Sequence, residues 1–169
     1  MENLEKHTQQ NAVHITRIFD APREALWKAW TDPESVKQWW GPTDYTCPEA
    51  KIDLRVGGKC LNAMKGPDGK VIWSGGTFTE ITKPSRLKYT DSFMDEKGNV
   101  VDPTFYGMPA DFARELYVTV TFEEHSQGKT KLTLIHKDFA SREMVDECTA
   151  GWSESLDKLE QLLEEQPGS

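Results

Sequence analysis

The sequence is poor in the features that announce specialised chemistry. Its 169 residues contain three cysteines, Cys47, Cys60 and Cys148, an odd number with no CxxC pair. That argues against a disulfide framework or a zinc site and fits a reducing cytoplasm. The four histidines stand at 7, 14, 125 and 136 without metal-ligand spacing. No P-loop, GxGxxG or nucleophile elbow occurs, so no cofactor is implied. No apolar run approaches the roughly 18 residues a membrane-spanning helix requires. The opening MENLEKHTQQ lacks the apolar core of a signal peptide. Basic residues are neither abundant nor clustered: 20 Lys and Arg stand against 28 Asp and Glu, a net charge of −8. Nucleic acids and anionic membrane surfaces are therefore poor partners, and the acidic balance mainly favours solubility.

What is present suits a single domain with a proper core. Hydrophobic residues make up 37% and aromatic residues 10%, which argues against wholesale disorder. Residues 1–11 are polar and read as a frayed tail, residues 12–165 as one domain, and 166–169 as a second tail. Val13, Ile15 and Ile18–Phe19 have strand composition. Two short helices follow: PREALWKAW, opening at Pro22, and PESVKQWW, opening at Asp32–Pro33 and stopped by Gly41–Pro42.

A series of strands comes next. Residues 48–55 alternate Ala50, Ile52 and Leu54 against Lys51, Asp53 and Arg55, the pattern of a half-buried strand. Residues 59–65 place Cys60, Asn62 and Met64 on one face. Residues 70–82 make a longer strand with a bulge or bend expected at Gly75–Gly76. Residues 86–94 put Leu87, Tyr89, Asp91 and Phe93 on one face. Residues 95–113 form an excursion long enough to suggest a lid or binding loop, and it carries Phe105, Tyr106, Met108 and Phe112. Residues 115–124 and 130–137 then make a hairpin around Gly128, with Leu132, Leu134 and His136 sharing a face. Last, Ser141 is positioned to cap a helix running to about Glu164. Met144, Cys148, Trp152, Leu156, Leu159 and Leu163 recur along it at spacings of three and four. So wide an apolar stripe must be covered, and only the sheet is large enough to do it.

Seven motifs in order carry a resemblance: TDPESVKQWWGP at 31–42, IDLRVGGK at 52–59, MKGPDGK at 64–70, GGTFTEITKPSRL at 75–87, VTVTFEE at 118–124, TKLTLIHKDF at 130–139 and GWSESLDKLEQLL at 151–163. With them, residues 13–164 resemble the bacterial and archaeal homologues of the heat-shock-protein-90 ATPase activator C-terminal domain. The resemblance implies an α+β helix-grip (START-like) fold. In that fold a curved antiparallel sheet of about seven strands wraps a long C-terminal helix, and two short helices follow the first strand. It also implies an internal cavity, since the family's wider relatives include lipid carriers and polyketide cyclases. Fold alone does not fix function.

Several side chains are candidates to line such a cavity. Met64, Trp73, Tyr89, Phe93 and Trp152 offer apolar surface. Met108 and Phe112 could close it from the excursion; they could equally plug it or meet a second copy of the chain. Trp39–Trp40–Gly41–Pro42 reads most simply as a helix end with one tryptophan in the core and one over the rim; the functional reading makes Trp39 part of a pocket mouth. Met144 and Cys148 lie on the long helix beside Trp152. Cys148 reads as a small core residue, because no neighbour is evident that would activate a thiol.

Asp91 and His136 share faces with large apolar residues. As a pair they could polarise a ligand carbonyl or exchange a proton; the plainer reading is two strand-end groups satisfied by backbone or water. Across one intervening strand their spacing is about 9–10 Å, too far for a direct hydrogen bond between atoms near Cβ.

Three functional classes follow. The first is a non-enzymatic binding protein for an apolar small molecule or lipid-like ligand. The second is a chaperone co-factor or stress-response interaction domain, motivated by the resemblance alone. The third is a cyclase- or hydrolase-like enzyme resting on Asp91 and His136. The sequence leaves monomer and homodimer open.

Overall fold

The computed structural model describes residues 11–165. The tails expected at the two ends lie, Asn11 apart, outside the described residues. The elements run β1 (Val13–Phe19), α1 (Arg23–Thr31), α2 (Pro33–Trp39), β2 (Ala50–Ile52), β3 (Lys59–Lys65), β4 (Val71–Thr82), β5 (Arg86–Met94), a 3-10 turn (Pro103–Tyr106), β6 (Leu116–Ser126), β7 (Lys129–Lys137) and α3 (Arg142–Glu164). The strands form one sheet in the order β1-β7-β6-β5-β4-β3-β2, with every neighbouring pair antiparallel. This is the helix-grip architecture that the motifs implied.

Local chemistry sets the boundaries. Ser141 Oγ accepts the Met144 N–H at 3.2 Å and so caps α3. Pro22 is the cap of α1 rather than its first residue; its carbonyl accepts the N–H groups of Ala25 and Leu26. Asp32 caps α2 and Pro33 is its first residue, but the Asp32 carboxylate accepts from the Ser35 hydroxyl at 2.8 Å instead of from a backbone N–H. The β6–β7 hairpin turns through Gln127–Gly128, and Gly128 takes φ +78°, a left-handed value that glycine adopts without strain.

Two expectations need correction. The strand expected at 48–55 is only Ala50–Ile52. After Ile52 the chain folds back: Arg55 N–H donates to the Asp53 carbonyl, and Gly58 N–H to the Arg55 carbonyl. Leu54 and Val56 are left exposed at the sheet edge, so alternation continued in sequence after the ladder had ended. In β4 the register shift falls between Phe78 and Glu80, not at Gly75–Gly76. The glycines serve a different need. A Cβ on Gly75 would strike the Cys60 carbonyl, and one on Gly76 the Thr90 carbonyl. They therefore let β4 approach both neighbours closely, while Thr77 N–H donates to the Thr90 hydroxyl at 2.9 Å.

The core lies between the concave sheet face and the helices. Leu87, Val120, Phe122, Leu132 and Leu134 of the sheet are fully or almost fully buried, as are Leu156 and Leu159 of α3. Side chains of this kind each contribute about 1.5–3 kcal/mol on burial. The stripe of α3 is divided along its length. Its C-terminal half, with Leu156, Leu159 and Leu162, is packed in this core, whereas in its N-terminal half Val145 is buried but Met144 and Cys148 are only partly so. Leu162 rather than Leu163 occupies the buried C-terminal position.

Candidate functional site

The unfilled half of the grip is a cavity of about 310 Å³, at the lower end of the range of small-molecule sites. Its sheet side is built by alternation: Tyr89, Asp91 and Phe93 from β5, Leu116 and Val118 from β6, and His136 from β7. Met144, Cys148 and Trp152 of α3 face them. Met64 closes one side, and the excursion after β5 brings in Met108 and Phe112. That excursion is pinned by Tyr106, whose hydroxyl donates to the Met94 carbonyl at 2.6 Å and accepts the Trp73 N–H at 3.2 Å. Asp102 caps its 3-10 turn by accepting from Thr104. Phe112 reaches Phe93 and Phe139 through ring contacts at 5.4 and 6.2 Å.

Ten of the twelve candidate residues border this cavity; Trp39 and Trp73 do not. Trp39 is fully buried in the core. Its indole N–H donates to the Ala29 carbonyl at 2.9 Å, and its ring packs on Trp30 at 4.6 Å. The rim position belongs to Trp40, which ends α2 in an extended conformation and packs edge-on against Trp152 at 5.3 Å. Trp73 is displaced by pleating. Ser74, its neighbour in β4, faces the cavity, so Trp73 belongs to the opposite face, paired with Ala63 and Met94. Residues missed in the sequence include Phe139 and Ser155. Ser155 lay within reach of helical spacing, four residues before Leu159 and three after Trp152. Phe139 lay outside it, because it follows Asp138, a non-glycine residue at φ +81° that turns the chain after β7.

The polar end of the cavity is a cluster around His136, whose residue exposure is 4%. Trp152 donates its indole N–H to His136 Nδ1 at 3.1 Å. Because an indole only donates, Nδ1 accepts and the ring proton resides on Nε2. Nε2 lies 2.9 Å from Asp91 Oδ2. The oxygen is off the N–H direction, so Nε2 has no aligned acceptor among the described residues. The contact is a close electrostatic one rather than a well-formed hydrogen bond. It also corrects the separation of about 9–10 Å expected from strand spacing. Asp91 pairs with Leu116, and His136 with Val118, across the intervening β6. On the concave face of a curved sheet, side chains from flanking strands lean together over the middle one.

Cys148 Sγ also approaches Nδ1, at 3.6 Å. Burial, reinforced by the Asp91 charge, pushes its thiol up to about 12. It is therefore protonated at neutral pH and is not an activated nucleophile. Tyr89 is raised as well, chiefly by burial. Its hydroxyl and the Trp30 indole N–H are both buried without an aligned partner among the described residues. Among the described residues no group of three or more His, Cys, Asp or Glu is arranged to hold a metal ion.

The mouth is fixed from α3. Lys158 Nζ donates to the carbonyls of Pro42 and Tyr45 at 3.2 and 3.1 Å. Glu154 accepts the Thr43 N–H at 2.9 Å, which holds its carboxyl below the usual range. Gly41 takes φ +102° in the same turn. Together these hold Trp40 and Pro42 against the cavity.

The family model described as Activator of Hsp90 ATPase homolog 1-like protein matches residues 20–164. Among solved structures, a crystal structure of a Nitrosomonas europaea protein superposes with TM-score 0.77 at 22% identity, covering 95% of this chain and 98% of that one. A solution structure of an Arthrobacter aurescens protein gives TM-score 0.73 at 28% identity, with 95% and 90% covered. The AHSA1 protein of Silicibacter pomeroyi gives TM-score 0.73 at 24% identity, with 92% and 99% covered. No curated protein sequence matches the chain. No helix among the described residues is long and apolar enough to cross a membrane.

Proposed function

The chain belongs to the Activator of Hsp90 ATPase homolog 1-like family, and we propose that it is a non-enzymatic binding protein that holds an apolar small molecule between β5–β7 and the N-terminal half of α3. The observation that carries this reading is the division of the α3 stripe. A helix built only to close a core would be packed along its whole length, yet Met144 and Cys148 face a cavity of about 310 Å³. The walls are mainly aromatic, aliphatic and methionine side chains, which reward burial of apolar ligand surface at roughly 25 cal/mol per Å². Methionine at three points of the wall lets one cavity fit several shapes. An enzymatic reading has less support, since the thiol beside His136 is pushed up to about 12 and the His136–Asp91 contact is misaligned.

Native mass spectrometry of protein purified gently from its own host tests the proposal. A co-purifying molecule of small mass at one per chain is expected. Protein at its bare mass that also fails to take up added neutral apolar compounds would overturn it. A chaperone-interaction role has only the family's description behind it; an unchanged chaperone ATPase rate in the presence of the protein would remove it.

A further inference from the structure

The charge of the cavity selects among apolar ligands. Two carboxylates border it, Asp91 on the sheet side and Glu147, exposed at the mouth. No Lys or Arg stands among the described residues of its wall. The ring nitrogens of His136 are already engaged: Nδ1 accepts from Trp152, and Nε2 lies 2.9 Å from Asp91 Oδ2. Lys158 of α3 is turned onto the carbonyls of Pro42 and Tyr45. A ligand carboxylate or phosphate would thus enter a mainly apolar space facing like charge, with no Lys or Arg among the described wall residues to neutralise it.

Resting on the binding reading above, we infer that the cavity takes apolar molecules whose single polar end is a hydrogen-bond donor, a hydroxyl or an ammonium group, and rejects apolar acids. Asp91 is the acceptor for that end. Its side chain is 27% exposed, against 6% for His136, so one face of the carboxylate remains open while the other is held beside the imidazole. Aromatic side chains of Tyr89, Phe93 and Trp152 share the cavity wall with it, which suits either end group and favours an ammonium further.

The test compares octanol, octylamine and octanoate, three probes of equal chain length, by calorimetric titration of the full chain. Octanol and octylamine should bind at least tenfold more tightly than octanoate. Asp91→Asn should bring octanoate within about threefold of octanol, with the melting temperature recorded to show that the variant is folded. Glu160→Gln, an exposed change of the same charge on α3, should leave the ratios unchanged and so separates the cavity from the net charge of the protein. If Asp91→Asn fails to fold, Glu147→Gln reads the same trend at the mouth, with a smaller gain for octanoate. Octanoate binding as well as octanol in the wild type would overturn the inference while leaving the binding reading intact. Equal ratios in Asp91→Asn and Glu160→Gln would do the same. Failure of all three probes to bind would remove both.

Discussion

Trp152 donates its indole N–H to His136 Nδ1 at 3.1 Å and thereby decides that the protonated ring nitrogen is the one 2.9 Å from Asp91. One residue of α3 thus sets the polarity of a group on β7, sixteen positions earlier in the chain. Trp152→Phe keeps an aromatic ring but removes the donor. It should leave His136 Nδ1 without its partner, mix the two imidazole tautomers in nitrogen-15 NMR spectra, and cost about 1–3 kcal/mol. A spectrum still showing a single tautomer protonated at Nε2 would contradict the assignment.

The two halves of the α3 stripe should respond differently to truncation. Leu156 is fully buried, so Leu156→Ala should cost about 2–5 kcal/mol. Met144 is only partly buried and borders the cavity. Met144→Ala should cost under about 1.5 kcal/mol, because it enlarges an existing space instead of creating one. Denaturant titration of the two variants measures the difference, and equal losses would mean that the cavity half is as tightly packed as the core.

Stability should fall in alkali. Burial raises the thiols of Cys148 to about 12 and Cys60 to about 11 from an ordinary value of 9.0. The folded chain therefore holds these protons more tightly than the unfolded chain. Below pH 9 neither group contributes a slope. Above it the unfolded state gains by ionising, at up to about 1.4 kcal/mol per pH unit per group, until the folded thiols also ionise. The same burial predicts slow labelling: a thiol reagent at pH 7.5 should modify Cys148 and Cys60 at least a hundredfold more slowly in the native chain than in urea. Comparable rates would show that the thiols are open to solvent.

Gly151 lies within α3, where glycine disfavours the helix by roughly 0.8–1.0 kcal/mol relative to alanine. A Cβ there would meet Pro42 Cγ at 3.5 Å, an ordinary contact. Gly151→Ala should accordingly raise stability by about 0.5–1 kcal/mol. A loss in thermal melting would show that the Trp40–Pro42 turn needs more room against the helix.

Most of the architecture was legible because it rests on periodicity and turn chemistry. Ser141 and the apolar recurrence to Leu163 located α3, and Gly128 located the last hairpin. Inward alternation marked Tyr89, Asp91, Phe93 and His136. The misses arise where the chain stops obeying those periods. Alternation ran through Leu54 although the strand ended at Ile52 and its last cross-strand bond, from Asp53 N–H to the Lys59 carbonyl, follows directly. The helix end did read as one core and one rim tryptophan, but helical spacing could not tell that Trp40, which leaves α2, takes the rim and Trp39 the core. Trp73 was counted by its size, while its strand parity placed it on the other face. The Asp91–His136 contact depends on sheet curvature, a property of the whole assembly that neither strand encodes alone.

The central claim, an apolar cavity open to a ligand at one end of the grip, is tested most directly by titrating the neutral dye Nile red into the wild type and into Cys148→Phe. The larger side chain would occupy the space between Met144 and Trp152. The account predicts one saturable site per chain in the wild type and none in the variant, with unchanged far-ultraviolet circular dichroism. No saturable site in the wild type, or equal affinity in both proteins, would contradict it.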